Sequence, residues 1–513
     1  MAAWARDLIG QFLAPLRCST ADITSHRPRP NKLHPICKNP KPPSIQMSSK
    51  KRKALDDVEQ SGRKSQAAPA SQQSLNVAAS DAHFRHLYDR ELDFKQLAEK
   101  DVNFAAVLQE NGHLDFTEPK AVMQLTKTLL SLDFNLKLEL PDDRLCPPVP
   151  NRHNYILWLK ELVDTSSYEP PGRPACGLDI GTGASCIYPL LGTTQRPSWR
   201  FVATDIDEKS LQYARENVAL NHLEDRITVL GRQPEDTLIP LRGRESEKVI
   251  HIDFTMMNPP FYESEDDMLS SAQRKVRPPH SACTGAPVEM VCEGGEIAHI
   301  SRMLEESLVL KEEVQWYTSM LGKASSVEIL VDKLKANGID NYAITEFIQG
   351  NKTRRWALGW SFGPMRPAEH VARVKTSGWK KVSPPVLAIE VLSLHPGRSI
   401  DHAITRINEV MRSLELLSWN WDTDARKGTG RTRENVWSRA SRRKKMRDQS
   451  TSFSVLSSAA PGSDPVQCRL GFDVAVEMGV STTTVTVHWR EGHDAVMFES
   501  LAGFLQGKLK DLG

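Results

Sequence analysis

The run Cys176-Gly177-Leu178-Asp179-Ile180, followed at once by Gly181-Thr182-Gly183-Ala184-Ser185-Cys186, constrains this chain more than any other segment. Five mostly apolar residues read as a buried strand, and the two glycines after them form a turn that delivers the chain into a helix. A strand that turns directly into a helix belongs to a βαβ unit, so a largely parallel sheet covered on both faces is expected around it. A second strand, Phe201-Val202-Ala203-Thr204, ends at Asp205. Apolar strands and amphipathic helices keep alternating to about residue 365, which makes the class α/β.

Gly181 and Gly183 let a ligand approach the backbone, and the start of the next helix offers unpaired N–H groups. A dinucleotide site would place a third glycine where Cys186 stands. Asp179 before the turn and Asp205 after the second strand instead suit a ligand with one ribose and an amino-acid tail, such as S-adenosylmethionine. The alternative for Asp205 is capping of the next helix, whose first turn also carries Asp207 and Glu208.

A further strand near 249–257 runs into Asn258-Pro259-Pro260-Phe261. Two prolines fix the backbone and remove two donors, which leaves carbonyls facing outward as acceptors at the sheet's carboxyl edge. Asn258 adds a side-chain acceptor, and Phe261 a flat apolar face. Such a set clamps a planar amine or amide. Accepting both N–H hydrogens of an exocyclic amine, at Asn258 Oδ1 and the Pro259 carbonyl, aims the nitrogen lone pair at a methyl donor, and positioning of this kind contributes ~7 kcal/mol or more. An ordinary Asx-Pro turn is the bland alternative.

Residues 1–78, rich in Pro, Ser, Gln and Lys without an apolar period, are expected to be a disordered tail. Their basic run Lys50-Lys51-Arg52-Lys53 suggests a nuclear address, with the cytoplasm as a second location. From 79 to 150 the spacing of Phe84, Leu87, Leu92, Phe94 and Leu97, then Ala121, Leu125 and Leu129, predicts a helical module. The sheet domain follows over 151–375, and an accessory α/β domain over 386–513. A net charge of only +2 means that any contact with nucleic acid must come from local patches. The densest is a basic insertion at 426–447, where ten Lys/Arg, among them Arg442, Arg443, Lys444 and Lys445, face the single acid Glu434. Eight cysteines without a CxxC pair point to a reduced protein with no metal site, and no apolar run has membrane-spanning length. Oligomeric state is not legible.

The Gly181 to Cys186 turn and Asn258-Pro259-Pro260-Phe261 together resemble the RNA adenine-N6 methyltransferases that modify U6 small nuclear RNA, the methyltransferase-like protein sixteen family. The likeness extends through Leu145-Cys146-Pro147, Asn154-Tyr155-Ile156, Glu293-Gly294-Gly295-Glu296, Met320-Leu321-Gly322-Lys323 and Arg355-Trp356-Ala357, and covers roughly residues 80 to 365. It implies a Rossmann-like class I S-adenosylmethionine-dependent methyltransferase acting on N6 of adenosine in structured RNA, with U6 the favoured target. Carried over residue by residue, it implies that Arg152, Gly181, Ser185, Asp205, Thr237 and Asn258 line the S-adenosylmethionine site, joining Asp179 and Gly183. Asp205 stands where relatives can have Glu, which keeps the carboxylate and shortens its reach. Arg274, Lys275 and Arg277, in the long loop after Phe261, are the expected phosphate contacts. Methylation of a protein glutamine or of a ribosomal RNA base, and a non-catalytic RNA-binding scaffold, are the competing functions.

Overall fold

In a computed structural model, residues 81–242, 251–273, 285–349, 353–374, 379, 381–395, 399–441, 443 and 468–512 are described. Strand β1 (Cys176–Ile180) pairs in parallel with β2 (Arg200–Asp205) on one side and β4 (Ile252–Met257) on the other. The sheet is completed by β3 (Ile227–Gly231), β5 (Val314–Leu321), β6 (Tyr342–Gln349) and β7 (Thr353–Trp360), in the order β3-β2-β1-β4-β5-β7-β6. Within it β7 runs antiparallel to both neighbours. The order reverses between β1 and β4, and open α/β sheets bind ligands outside the carboxyl ends of the strands at such a switch point.

Gly177 shows why the centre of this sheet is so tight. A Cβ there would stand 2.6 Å from the rings of both Phe201 in β2 and Phe254 in β4. Those rings meet edge to face with centroids 5.9 Å apart. Of the described helices that precede the sheet, two are long. Helix α1 (Pro119–Phe134) starts on a proline, has Glu118 as its N-cap and ends at Asn135 in the left-handed conformation. Helix α2 (Val149–Thr165) buries Tyr155, Ile156, Leu159 and Leu162, so the domain boundary expected at 150 falls inside a helix. The expected apolar period before α1 is also interrupted, because residues 86–93 form turns and coil and leave Leu92 outside any helix. Asp81 ties this region down through Lys160 at 2.7 Å and Arg196 at 2.5 Å.

After β1 come α3 (Ile187–Gln195) and, after β2, α4 (Glu208–Leu220); α5 (Gly295–Leu310) precedes β5 and α6 (Ala324–Ala336) precedes β6. A second, five-stranded antiparallel sheet has the order β8-β12-β11-β10-β9, from β8 (Ala388–Leu394), β9 (Ser418–Asp422), β10 (Lys427–Thr432), β11 (Leu470–Met478) and β12 (Thr483–Glu491). Its apolar residues pack with α7 (Ile400–Arg412) and α8 (Ala495–Leu509) in one core.

The start of the expected basic insertion is thus not an insertion. Residues 427–432 are a strand with a neighbour on each side. Lys427 pairs with Asp473 at 3.5 Å and Arg431 with Glu491 at 3.0 Å, so these two charges serve the sheet. Arg366 joins the two sheets. Fully buried, its guanidinium lies 4.2 Å from the Trp489 ring centroid and donates to Gly492 O at 2.8 Å and Asp340 Oδ2 at 2.8 Å. Among the described residues no helix is long and apolar enough to cross a membrane.

Candidate active site

The turn after β1 uses the left-handed backbone three times, at Gly181 (φ 71), Gly183 (φ 64) and Cys186 (φ 49). Cys186, standing where a dinucleotide site would have its third glycine, therefore takes a glycine-like conformation as the N-cap of α3, with its thiol buried. A Cβ on Gly181 would meet nothing within 4 Å. The turn faces a cavity of about 330 Å³ at the carboxyl edge of the sheet.

Arg152, Gly181, Gly183, Ser185, Asp205, Thr237 and Asn258 all line this cavity, together with Pro259 and Pro260. Residues more than a hundred positions apart are brought to one wall by the switch point. Asp179 stands behind that wall, fully buried, with Oδ2 accepting from Thr182 Oγ1 at 2.7 Å. Burial drives its carboxyl up to about 7; the Thr182 bond opposes the shift, and Asp205 adds to it.

The two roles open for Asp205 separate in space. Asp207 is the N-cap of α4, accepting from Ser210 N at 2.8 Å. Asp205 instead accepts from Gly183 N at 2.8 Å through Oδ2, and from Ile206 N at 2.8 Å and Asp207 N at 3.0 Å through Oδ1. It braces the glycine turn while lining the cavity. Burial raises its pKa against the lowering by those three N–H groups.

Four buried polar atoms at this site have no hydrogen-bond partner among the described residues: Asn258 Oδ1, Asp179 Oδ1, Arg152 Nε and Arg232 Nε, the last with the Asp236 carboxylate 3.7 Å away. Such atoms cost roughly 1–3 kcal/mol each unless a ligand or water completes them. Arg152 is 6% exposed and donates to Tyr188 Oη at 2.6 Å, with no ion pair to a described carboxylate. A buried cation beside a cavity, with no ion pair among the described residues and only the Asp179 carboxyl acting on it at longer range, fits an anionic group.

Phe261 is the catalytic candidate that does not line the cavity. A Cβ on Gly322 would reach its ring at 2.8 Å, and the Arg355 guanidinium lies 5.5 Å from its centroid. Glu296, 3% exposed, holds that turn by accepting from Gly322 N at 2.7 Å and Lys323 N at 3.2 Å. Thr237 sits on a loop laced to α5, where Arg302 donates to the carbonyls of Pro234 and Asp236 and Glu306 accepts from Leu238 N and Ile239 N. His299 also lines the cavity, and burial with the nearby Arg302 charge lowers its pKa to about 4. Trp356, set against Trp379 at 6.2 Å, packs on the core. Sequence patterns did not single out Arg302, Glu306 or Glu289, whose contacts cross long stretches of chain.

Among the expected RNA contacts, Arg274, Lys275, Arg277, Arg442, Lys444 and Lys445 lie outside the described residues, whereas Arg443 is exposed.

A family model described as RNA methyltransferase matches residues 76–364. The U6 small nuclear RNA (adenine-(43)-N(6))-methyltransferase of Schizosaccharomyces pombe is 36% identical over 405 residues, covering 78% of this chain and 96% of the relative. The RNA N(6)-adenosine-methyltransferase mettl16 of Danio rerio is 42% identical over 287 residues, 55% of this chain and 59% of the relative, so the chain spans little more than half of that protein. The crystal structure of the hMettl16 catalytic domain in complex with MAT2A 3'UTR hairpin 1 shares 41% identity over 54% of this chain and 94% of the solved one, with a TM-score of 0.49.

Proposed function

Because the chain belongs to this family of RNA methyltransferases, we propose that it transfers a methyl group from S-adenosylmethionine to N6 of an adenosine in structured RNA, with U6 small nuclear RNA as the favoured target. The observation that carries the proposal is Asn258 Oδ1, a buried acceptor with no hydrogen-bond partner among the described residues, on the wall of the cavity that Gly181 opens. An exocyclic amine donates two hydrogens, and an acceptor fixed at a proline-stiffened strand end orients it without rotamer loss. The Pro259 carbonyl is the second acceptor in this proposal.

The cavity's donor set suits the cofactor. Gly181 leaves space where a side chain would intrude, the Asp205 carboxylate suits ribose hydroxyls, and Arg152 suits a carboxylate. When bound, S-adenosylmethionine supplies an electrophilic methyl group. Asn258 then acts by orientation and not as a base, since an amide side chain has no proton affinity near neutrality. An adenine must leave its stack to reach this edge of the sheet. Arg274, Lys275 and Arg277, with the exposed Arg443 and its neighbours Arg442, Lys444 and Lys445, are the proposed backbone contacts, worth salt-sensitive affinity. The basic run at 50–53 makes the nucleus the proposed location.

The test is methylation of total small RNA by the full chain with labelled S-adenosylmethionine, followed by digestion to nucleosides and mass spectrometry. N6-methyladenosine, concentrated in U6 and absent with Asn258→Ala, is the expected product. Label in protein or in another nucleoside would refute the proposal.

A further inference from the structure

Glu289 lies on a short strap after the loop that leaves Phe261, in the helical turn Pro287–Met290. Its Oε2 accepts from Ala286 N at 2.8 Å and from Leu145 N at 2.9 Å, so one carboxylate oxygen joins segments 144 positions apart. The strap is also stitched to the exit of the Asn258 segment. Tyr262 N donates to Met290 O at 3.1 Å and Cys292 N to Tyr262 O at 3.0 Å. Leu145, Val288, Glu289 and Val291 all line the cavity.

The second oxygen, Oε1, accepts no hydrogen bond from the described residues, and a Cβ built on Gly183 would stand 3.6 Å from it. Gly183 therefore has Asp205 at its N–H and Glu289 on the side where a side chain would project. A carboxylate whose one oxygen is fixed by two backbone donors presents the other at a defined place, with little rotamer entropy left to lose on binding.

We propose that Glu289 is a cofactor-specificity residue, whose Oε2 holds the strap to Leu145 and whose Oε1 accepts a hydrogen bond from an N–H or O–H group of S-adenosylmethionine. This rests on the cofactor proposal above and deepens it. The Glu289→Gln variant tests it closely. A glutamine oxygen can keep both backbone bonds, but the amide nitrogen then presents donors where an acceptor is needed.

Affinity is measured by calorimetry on the full chain with S-adenosylhomocysteine as probe. The expected result is a Kd weakened about 10-fold or more, with the ligand-free melting temperature held and KM for S-adenosylmethionine rising more than kcat falls. An unchanged Kd for E289Q, beside tight wild-type binding, overturns this inference alone. Wild-type protein that binds no S-adenosylhomocysteine overturns the cofactor proposal and this one with it. Should E289Q melt early, the wild-type chain decides the matter by amide exchange. Slower exchange at Leu145 and Ala286 on adding the probe is expected, and unchanged exchange there refutes the inference.

Discussion

Glycines at the head of β1's turn and glycines within β10 do opposite things with the same missing side chain. At Gly181 the vacant Cβ position meets nothing within 4 Å and opens on the cavity. At Gly428 and Gly430 the vacancy is filled by the protein itself, since a Cβ would stand 2.2 Å from the Trp419 ring and 2.4 Å from the Phe472 ring. Those rings lie 6.2 Å apart and form one aromatic layer over the strand. The vacancy at Gly181 faces the cavity; the pair in β10 is a place for the core. A glycine in a sequence announces room and does not say who takes it.

The difference can be broken at several points. The largest effect is expected at the open end, where Asn258→Ala should lower methyl transfer about 100-fold or more in single-turnover assays while leaving the melting temperature unchanged. At the filled end, Gly430→Ala forces a methyl group into the Phe472 ring and should cost about 2 kcal/mol in denaturant unfolding, with the cofactor Kd untouched. Gly181→Ala should act on both quantities. Its positive φ costs about 1 kcal/mol of stability, and the new methyl group enters the cavity, so calorimetry should find cofactor affinity falling by about 10-fold.

The smallest effect sharpens the electrostatics behind the open wall. Asp179 titrates in the folded state at about 7 against an ordinary 3.8. A carboxyl raised in this way binds more protons folded than unfolded between those values. Its contribution to stability is complete below the lower value and is lost as pH rises through the upper one. Asp179→Asn removes that dependence. Between pH 5 and 8 the ligand-free variant should lose about 2–4 °C less in melting temperature than the parent chain.

The sheet, its glycine turn, Asp205 and Asn258 were legible because each is a contiguous pattern: strand, turn, acid at a strand end, proline-locked exit. Even the ambiguity of Asp205 was legible, and only the backbone could resolve it, by giving the cap to Asp207. What sequence could not reveal is long-range pairing. Lys427 and Arg431 looked like part of a nucleic-acid patch because charge was counted locally, whereas their partners Asp473 and Glu491 lie 46 and 60 residues on. Glu289 gave no sign of its role because that role depends on Leu145 N, far upstream. Phe261 was readable as an aromatic beside the acceptors, but its ring's packing on Gly322 and nearness to Arg355 belong to β5's end and β7.

Arg366 carries a consequence for synthesis. The guanidinium is buried against Trp489 and Gly492, which leave the ribosome some 120 residues after it does. Until then the arginine has Asp340 as a partner but lacks its aromatic cover and one of its acceptors. The methyltransferase sheet can form its strands early, yet this corner stays unfinished until the C-terminal sheet arrives. A premature stop anywhere between β7 and β12 should therefore yield a protein that is metabolically short-lived as well as shortened, its defect being an arginine waiting for a partner that is never made.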